Sequence, residues 1–176
     1  MSHGILERVI AMKEMPKTHA PKRSDRLIRE RVHDPYRDRH KLREPTFCSQ
    51  CEAVFHDGRW HWAPRPAPAY QALCPACRRI NDKYPAGVLT ISGAFAKQHA
   101  DEVMGLVRNQ EEVEKAEHPL HRIMTVQQGD KAIAVNTTDI HLPRRIGEAL
   151  HHAYQGKLDF HYDDDGYFIR VTWSRD

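Results

Sequence analysis

A chain of 176 residues, 40% hydrophobic and 29% charged with a mean hydropathy of −0.73, holds material for one ordinary domain plus a small appendage, not for two full cores. Its formal charge of +3 is unevenly spread: residues 1–45 carry twelve Lys/Arg against seven Asp/Glu, a local +5 that leaves the remainder at −2. No apolar run nears the about 20 residues of a bilayer span and no leader pattern opens the chain, so a soluble protein with no membrane partner is expected.

Within residues 1–45, short apolar pairs such as Ile5-Leu6 alternate with Lys22, Arg23, Arg26, Arg29, Arg31, Arg37, Arg39, Lys41 and Arg43. Pro16, Pro21, Pro35 and Pro45 interrupt any long helix, and the composition predicts a disordered basic arm. Such an arm can neutralise phosphates and order itself on RNA; the plainer alternative is a solubilising tail.

Residues 46–90 read as a zinc ribbon. All four cysteines lie in two Cys-x-x-Cys pairs, Cys48/Cys51 and Cys74/Cys77, and four thiolates at this spacing suit one tetrahedral zinc ion. Phe55, Trp60 and Trp62 carry strand character between the pairs, and Pro64, Pro66 and Pro68 predict a loop returning to the second pair. Four thiolates close the coordination shell, so the ion is expected to be structural, holding together a segment with little core. His56 and His61 are substitute donors in principle. A redox dithiol is the main competitor, but it normally opens a helix after a strand, a context not evident here. Paired cysteines without a dispersed disulfide framework point to a reducing, cytoplasmic setting.

Residues 91–176 read as an α+β domain. Gly87–Ile91 looks like a short strand or an extended connector. Ser92 can cap a long helix over 93–115 with Phe95, Val103, Leu106, Val107 and Val113 on one face. Its end, Glu111 to Glu117, is acidic where the macrodipole disfavours acid. Two strands, 122–127 and 131–136, follow around Gln128-Gly129-Asp130. A second helix is then expected behind Thr137-Thr138-Asp139, with Leu142, Ile146, Ala149, Leu150, Ala153 and Tyr154 as its apolar stripe and Gly156 as its stop. A final hairpin joins Leu158–Tyr162 to Phe168–Trp173. The predicted domain is a four-stranded antiparallel sheet packed with two helices.

For nucleic acid the informative pattern is cations interleaved with rings: Arg59, Trp60 and Trp62 in the ribbon, Arg78 and Arg79 beside the second cysteine pair, and Arg144 and Arg145 early in the second helix. Trp60 and Trp62 serve equally as the ribbon's small core. No dinucleotide turn, phosphate loop or Gly-x-Ser-x-Gly elbow occurs, and no His-Glu-x-x-His, so no enzyme class and no small-molecule substrate is indicated. Thirteen histidines invite a second metal site, with His118 and His121, His141, and His151 and His152 as candidates, but adjacent histidines on a helix point in different directions and no catalytic site is expected there. Asp163–Gly166 lacks most of a calcium loop and reads as a hairpin turn.

The cysteine pairs together with Tyr84-Pro85-Ala86-Gly87, Glu114–Pro119, Thr137–Leu142 and Arg170–Trp173 resemble an uncharacterised family of small bacterial zinc-ribbon proteins. More distantly, the cysteine pairs, the following helix and the Leu158–Tyr162 hairpin are similar to the archaeal and eukaryotic adaptor of large ribosomal subunit export. That adaptor has further Cys-x-x-Cys pairs and domains lacking in this sequence. The resemblance implies ribosome association. Together with the arm it predicts a non-enzymatic, zinc-containing RNA-binding protein, with ribosomal RNA or the ribosome as partner, ribosomal proteins as further contacts and a translation-silencing or hibernation-like role. The alternatives are a protein-interaction adaptor using the ribbon and the acidic helix end, and a DNA-binding regulator.

Overall fold

The structure, a computed structural model, describes residues 34–36, 41–163 and 166–176. The predicted arm therefore lies mostly outside the described residues. So do Lys22, Arg23, Arg26, Arg29, Arg31, Arg37 and Arg39.

The cysteine segment forms a small sheet of three-residue strands, β1 (Thr46–Cys48), β2 (Val54–His56), β3 (Arg59–His61) and β4 (Tyr70–Ala72), in the order β3-β2-β1-β4. β2 and β3 make a hairpin through Asp57-Gly58, both at positive φ, as a tight two-residue turn requires. The Glu44 carboxylate accepts from the backbone N–H of Asp57 at 2.8 Å and fixes that turn. The proline-rich loop returns the chain to β4, which lies parallel to β1. Beyond it stands a helix that sequence patterning did not place, α1 (Pro75–Asp82). Cys74 is its N-cap, its sulfur accepting from the Cys77 N–H, and Pro75 occupies a position where a missing N–H costs nothing.

The second sheet has five strands, not the four expected, and is not wholly antiparallel. Its elements are β5 (Gly87–Ser92), β6 (Ile123–Gln128), β7 (Ala132–Thr137), β8 (Lys157–Tyr162) and β9 (Ile169–Ser174), in the order β6-β7-β5-β9-β8. The connector assigned to the ribbon is thus the central strand, antiparallel to β7 and parallel to β9. Leu89 and Ile91 point inward from it between Val135 and Ile133 on one side and Val171 and Trp173 on the other. This alternation makes a strand of the segment, since only a sheet buries every second residue.

Both helical regions cover one face. The expected 93–115 helix is broken at His99 into α2 (Ala94–Gln98) and α3 (Ala100–Glu117). Ser92 does not cap it; the entry is Gly93, at φ 101° and without a side-chain cap. Val113 is exposed, and Glu114 takes the inward position, facing histidine and arginine side chains instead of the apolar core. The second helix, α4 (His141–Tyr154), follows expectation in extent and start: the Asp139 carboxylate accepts from the N–H groups of His141 and Leu142, and Leu142, Ile146 and Leu150 are fully buried, whereas Ala153, expected on the same stripe, is exposed. Leu89, Val107, Val135, Leu150, Val171 and Trp173 belong to one continuous core.

Gly93 gives this region a sharp test. A Cβ there would collide with the Arg175 carbonyl, on a backbone conformation that L residues rarely adopt. Gly93→Ala is expected to destabilise the α+β unit by about 1–3 kcal/mol, read as a lower urea midpoint at unchanged slope.

Candidate metal centre and its surroundings

The two cysteine pairs converge from different directions. Cys48 ends β1, Cys51 follows in the turn, and Cys74 and Cys77 sit at the head of α1. Their sulfurs lie within 4.8 Å of one another, and Cys51 and Cys74 are 3.7 Å apart. A tetrahedral ion with metal–sulfur bonds of about 2.3 Å sets sulfurs about 3.8 Å apart, so the cluster has the dimensions to hold one metal ion and is consistent with one zinc. The backbone N–H of Cys74 donates to Cys48 Sγ at 3.3 Å and that of Cys77 to Cys74 Sγ at 3.4 Å, partnerships that favour thiolate charge. Cys48, Cys74 and Cys77 are buried and Cys51 half-buried. His56 and His61 are exposed on the β2–β3 hairpin and are not among the clustered donors.

The second pair does open a helix after a strand, which corrects the expectation that no such context exists. What separates the arrangement from a lone dithiol is the presence of all four sulfurs at one point.

The residue that sequence reasoning missed is Arg122. It is 8% exposed, and its guanidinium donates to Cys51 Sγ and Cys74 Sγ at 3.2 Å each and to Cys77 Sγ at 3.5 Å. Its Nε donates to the Pro119 carbonyl at 2.7 Å. One buried cation therefore touches three of the four sulfurs. Within the close Cys51–Cys74 pair, their shared hydrogen bond and then the Arg122 charge push the Cys51 thiol down against burial, whereas that hydrogen bond and burial push the Cys74 thiol up. Burial pushes the Cys77 thiol up, while Arg122 acts in the other direction. The only signal in the sequence is an arginine one residue before a strand, which names no partner; the pairing exists because the α3–β6 turn brings residue 122 back onto the cluster.

The residues considered for nucleic acid fare differently. Trp60 is buried against the cysteines and Phe55, so its role is packing. Trp62 is 41% exposed and its Nε1 donates to the Lys115 carbonyl at 2.5 Å, tying the ribbon to the end of α3. Arg79 is a correction: at 2% exposed it cannot reach an external phosphate, because it pairs with Asp34 at 2.5 Å, donates to the Tyr84 carbonyl and lies over the Tyr36 ring. Arg78 donates to the Tyr36 carbonyl at 2.9 Å. Arg144 pairs with Glu148 at 2.9 Å and Arg145 with Glu114 at 3.0 Å, although Arg145 stays well exposed. Lys41, Arg43 and Arg59 are exposed around the small sheet, where the Arg43 guanidinium lies 5.4 Å from the centre of the half-exposed Tyr70 ring.

No described helix is long and apolar enough to cross a membrane. The chain matches no family model, and no curated protein or solved structure matches it.

Proposed function

We propose that this is a non-enzymatic RNA-binding protein, acting on the ribosome or its RNA, in which one structural zinc holds the ribbon in shape. The observation that carries the reading is the separation of charge along the chain: +5 in residues 1–45, directly ahead of the cysteine cluster, and −2 in the rest. A polyanion is the partner such an arm suits best. Exposed Lys41, Arg43, Arg59 and Tyr70 extend the basic arm onto the ribbon, where a ring beside a cation can stack on an unpaired base. The resemblance of the cysteine pairs and the Leu158–Tyr162 hairpin to the ribosomal export adaptor, carried by those sequence motifs alone, suggests the same partner, and a factor occupying a ribosomal centre would act as a silencing or hibernation factor. Four thiolates leave a zinc ion no open position for substrate, which supports a scaffold role for that ion.

The adaptor alternative has less to stand on. Of the acidic helix end, Glu111 accepts from the Ile123 N–H at 2.7 Å and Glu114 faces Arg145 and His121, so both are used internally. A DNA-binding role would place a helix in the major groove, and the short α1 lies against the cysteine cluster instead.

The test is sedimentation of the full chain with ribosomes at low salt, with and without ribonuclease, followed by binding to purified ribosomal RNA across a salt series. Co-sedimentation abolished by ribonuclease is expected. Truncation before Asp34 spares the described residues and removes eight Lys/Arg. It should flatten the log–log salt slope by about 0.7 for each phosphate that the arm no longer neutralises. Binding indifferent to salt, ribonuclease and truncation would overturn the reading.

A further inference from the structure

A second set of donors stands beside the cysteine cluster, at the turn that carries Arg122. Glu114 is in the last turn of α3, His118 is the C-cap residue, and His121 follows across Pro119. The His121 N–H donates to the His118 carbonyl at 2.9 Å, and this turn brings both rings back toward Glu114. One donor atom from each of the three residues lies within 4.8 Å of the other two. His121 Nδ1 is 3.2 Å from Glu114 Oε2, and the His118 and His121 ring centres are 4.6 Å apart.

His121 is flanked by carboxylates on both sides: its Nε2 lies 3.6 Å from Asp139 Oδ2, longer than a hydrogen bond, and its Nδ1 faces Glu114. A carboxylate behind an imidazole is the usual support of a metal-bound histidine, setting its tautomer and raising its basicity. Asp139 is itself anchored by the N–H groups of His141 and Leu142, and its other oxygen is buried without a hydrogen-bond partner. Arg145 Nε holds Glu114 Oε1 at 3.0 Å, which leaves Oε2 to face the histidines. His118, by contrast, is exposed and opens onto a cleft of about 580 Å³ between the ribbon and the α3–β6 turn.

We propose that Glu114, His118 and His121 form a second metal site, for a divalent first-row ion of the zinc class, with coordination positions open to that cleft. Two imidazoles and one carboxylate are the donor set of open, ligand-accepting sites, in contrast to the closed shell of four thiolates. An ion with bonds of about 2.1 Å places tetrahedral donors about 3.4 Å apart, so the three must close by roughly an ångström. The exposed His118 ring can supply that movement by side-chain rotation. The competing arrangement is His121 alone bridging the Glu114 and Asp139 carboxylates, with no ion. It accounts for His121 but not for a His118 ring nitrogen within 4.8 Å of the same carboxylate.

The probe is zinc alone, on the full chain already holding one equivalent at the cysteines. After equilibration with excess zinc and removal of free ion, elemental analysis is expected to find a second equivalent per chain. His118→Ala and Glu114→Gln should lose that second ion and keep the first. Asp139→Asn, which retains a helix-capping oxygen, should weaken it about 10–100-fold. Because His118 is exposed, its variant decides the matter even where Glu114→Gln fails to fold. A stoichiometry that stays at one in the parent chain overturns the proposal. So does a second equivalent that survives His118→Ala, including one lost only in His56→Ala, which would place it at the group of Glu44, His56 and Asp57 on the ribbon hairpin.

Discussion

Stripping the ion from Cys48, Cys51, Cys74 and Cys77 with a strong chelator is expected to unfold the ribbon while leaving the five-stranded sheet folded. The buried cluster around the sulfurs consists of Cys48, Ala53, Trp60, Cys74, Ala76 and Cys77, with Leu42, Phe55, Leu73 and Leu120 only partly buried against it, a small core for a segment of this length. Burying a large side chain contributes about 1.5–3 kcal/mol, whereas ordering each backbone residue costs about 1–2 kcal/mol. The balance for this segment is unfavourable without a metal, and structural zinc contributes an apparent 10–16 kcal/mol or so in comparable small modules. Hydrogen exchange should show amides from 46 to 82 losing protection on chelation, while those around Leu89, Val135 and Val171 keep it. Full protection of β1–β4 with the ion demonstrably gone would refute a structural role for the metal.

Arg122 is expected to be the most sensitive non-ligand position. One divalent ion with four thiolates is still doubly anionic, and in a buried setting that charge needs compensation. Arg122 provides it through hydrogen bonds to three sulfurs, and it joins the ribbon to the head of β6 by doing so. Arg122→Ala should weaken zinc binding about 10–100-fold, measured by competition with a chromophoric chelator, and should cost about 3–5 kcal/mol in denaturant unfolding. Arg122→Lys should recover only part of the loss, because a compact ammonium lacks the planar fork that reaches several acceptors at once. An alanine variant with unchanged metal affinity would show that the cluster's charge is balanced some other way.

Residue type and spacing carried the four-cysteine cluster: two Cys-x-x-Cys pairs and nothing else containing sulfhydryls leave one way to bring four thiols together. Period and punctuation likewise carried α4, where Asp139 caps, Leu142, Ile146 and Leu150 repeat with helical spacing and Gly156 ends the run, and both flanking hairpins. These are local determinations, made by side chains within a few residues of one another.

What the sequence could not determine was whatever depended on distant partners. β5 reads as six apolar and small residues between a turn and a helix; only its pairing with β9, about eighty residues later, makes it the centre of a mixed sheet. Val113 and Glu114 exchange their expected positions because Arg145 and His121 supply a polar environment at the end of α3. Arg79 and Arg122 look from their neighbours like surface cations. Asp34 and Tyr36 bury the first and three sulfurs bury the second, and burial of a charge is decided by the groups that close around it, not by the residues beside it in the chain.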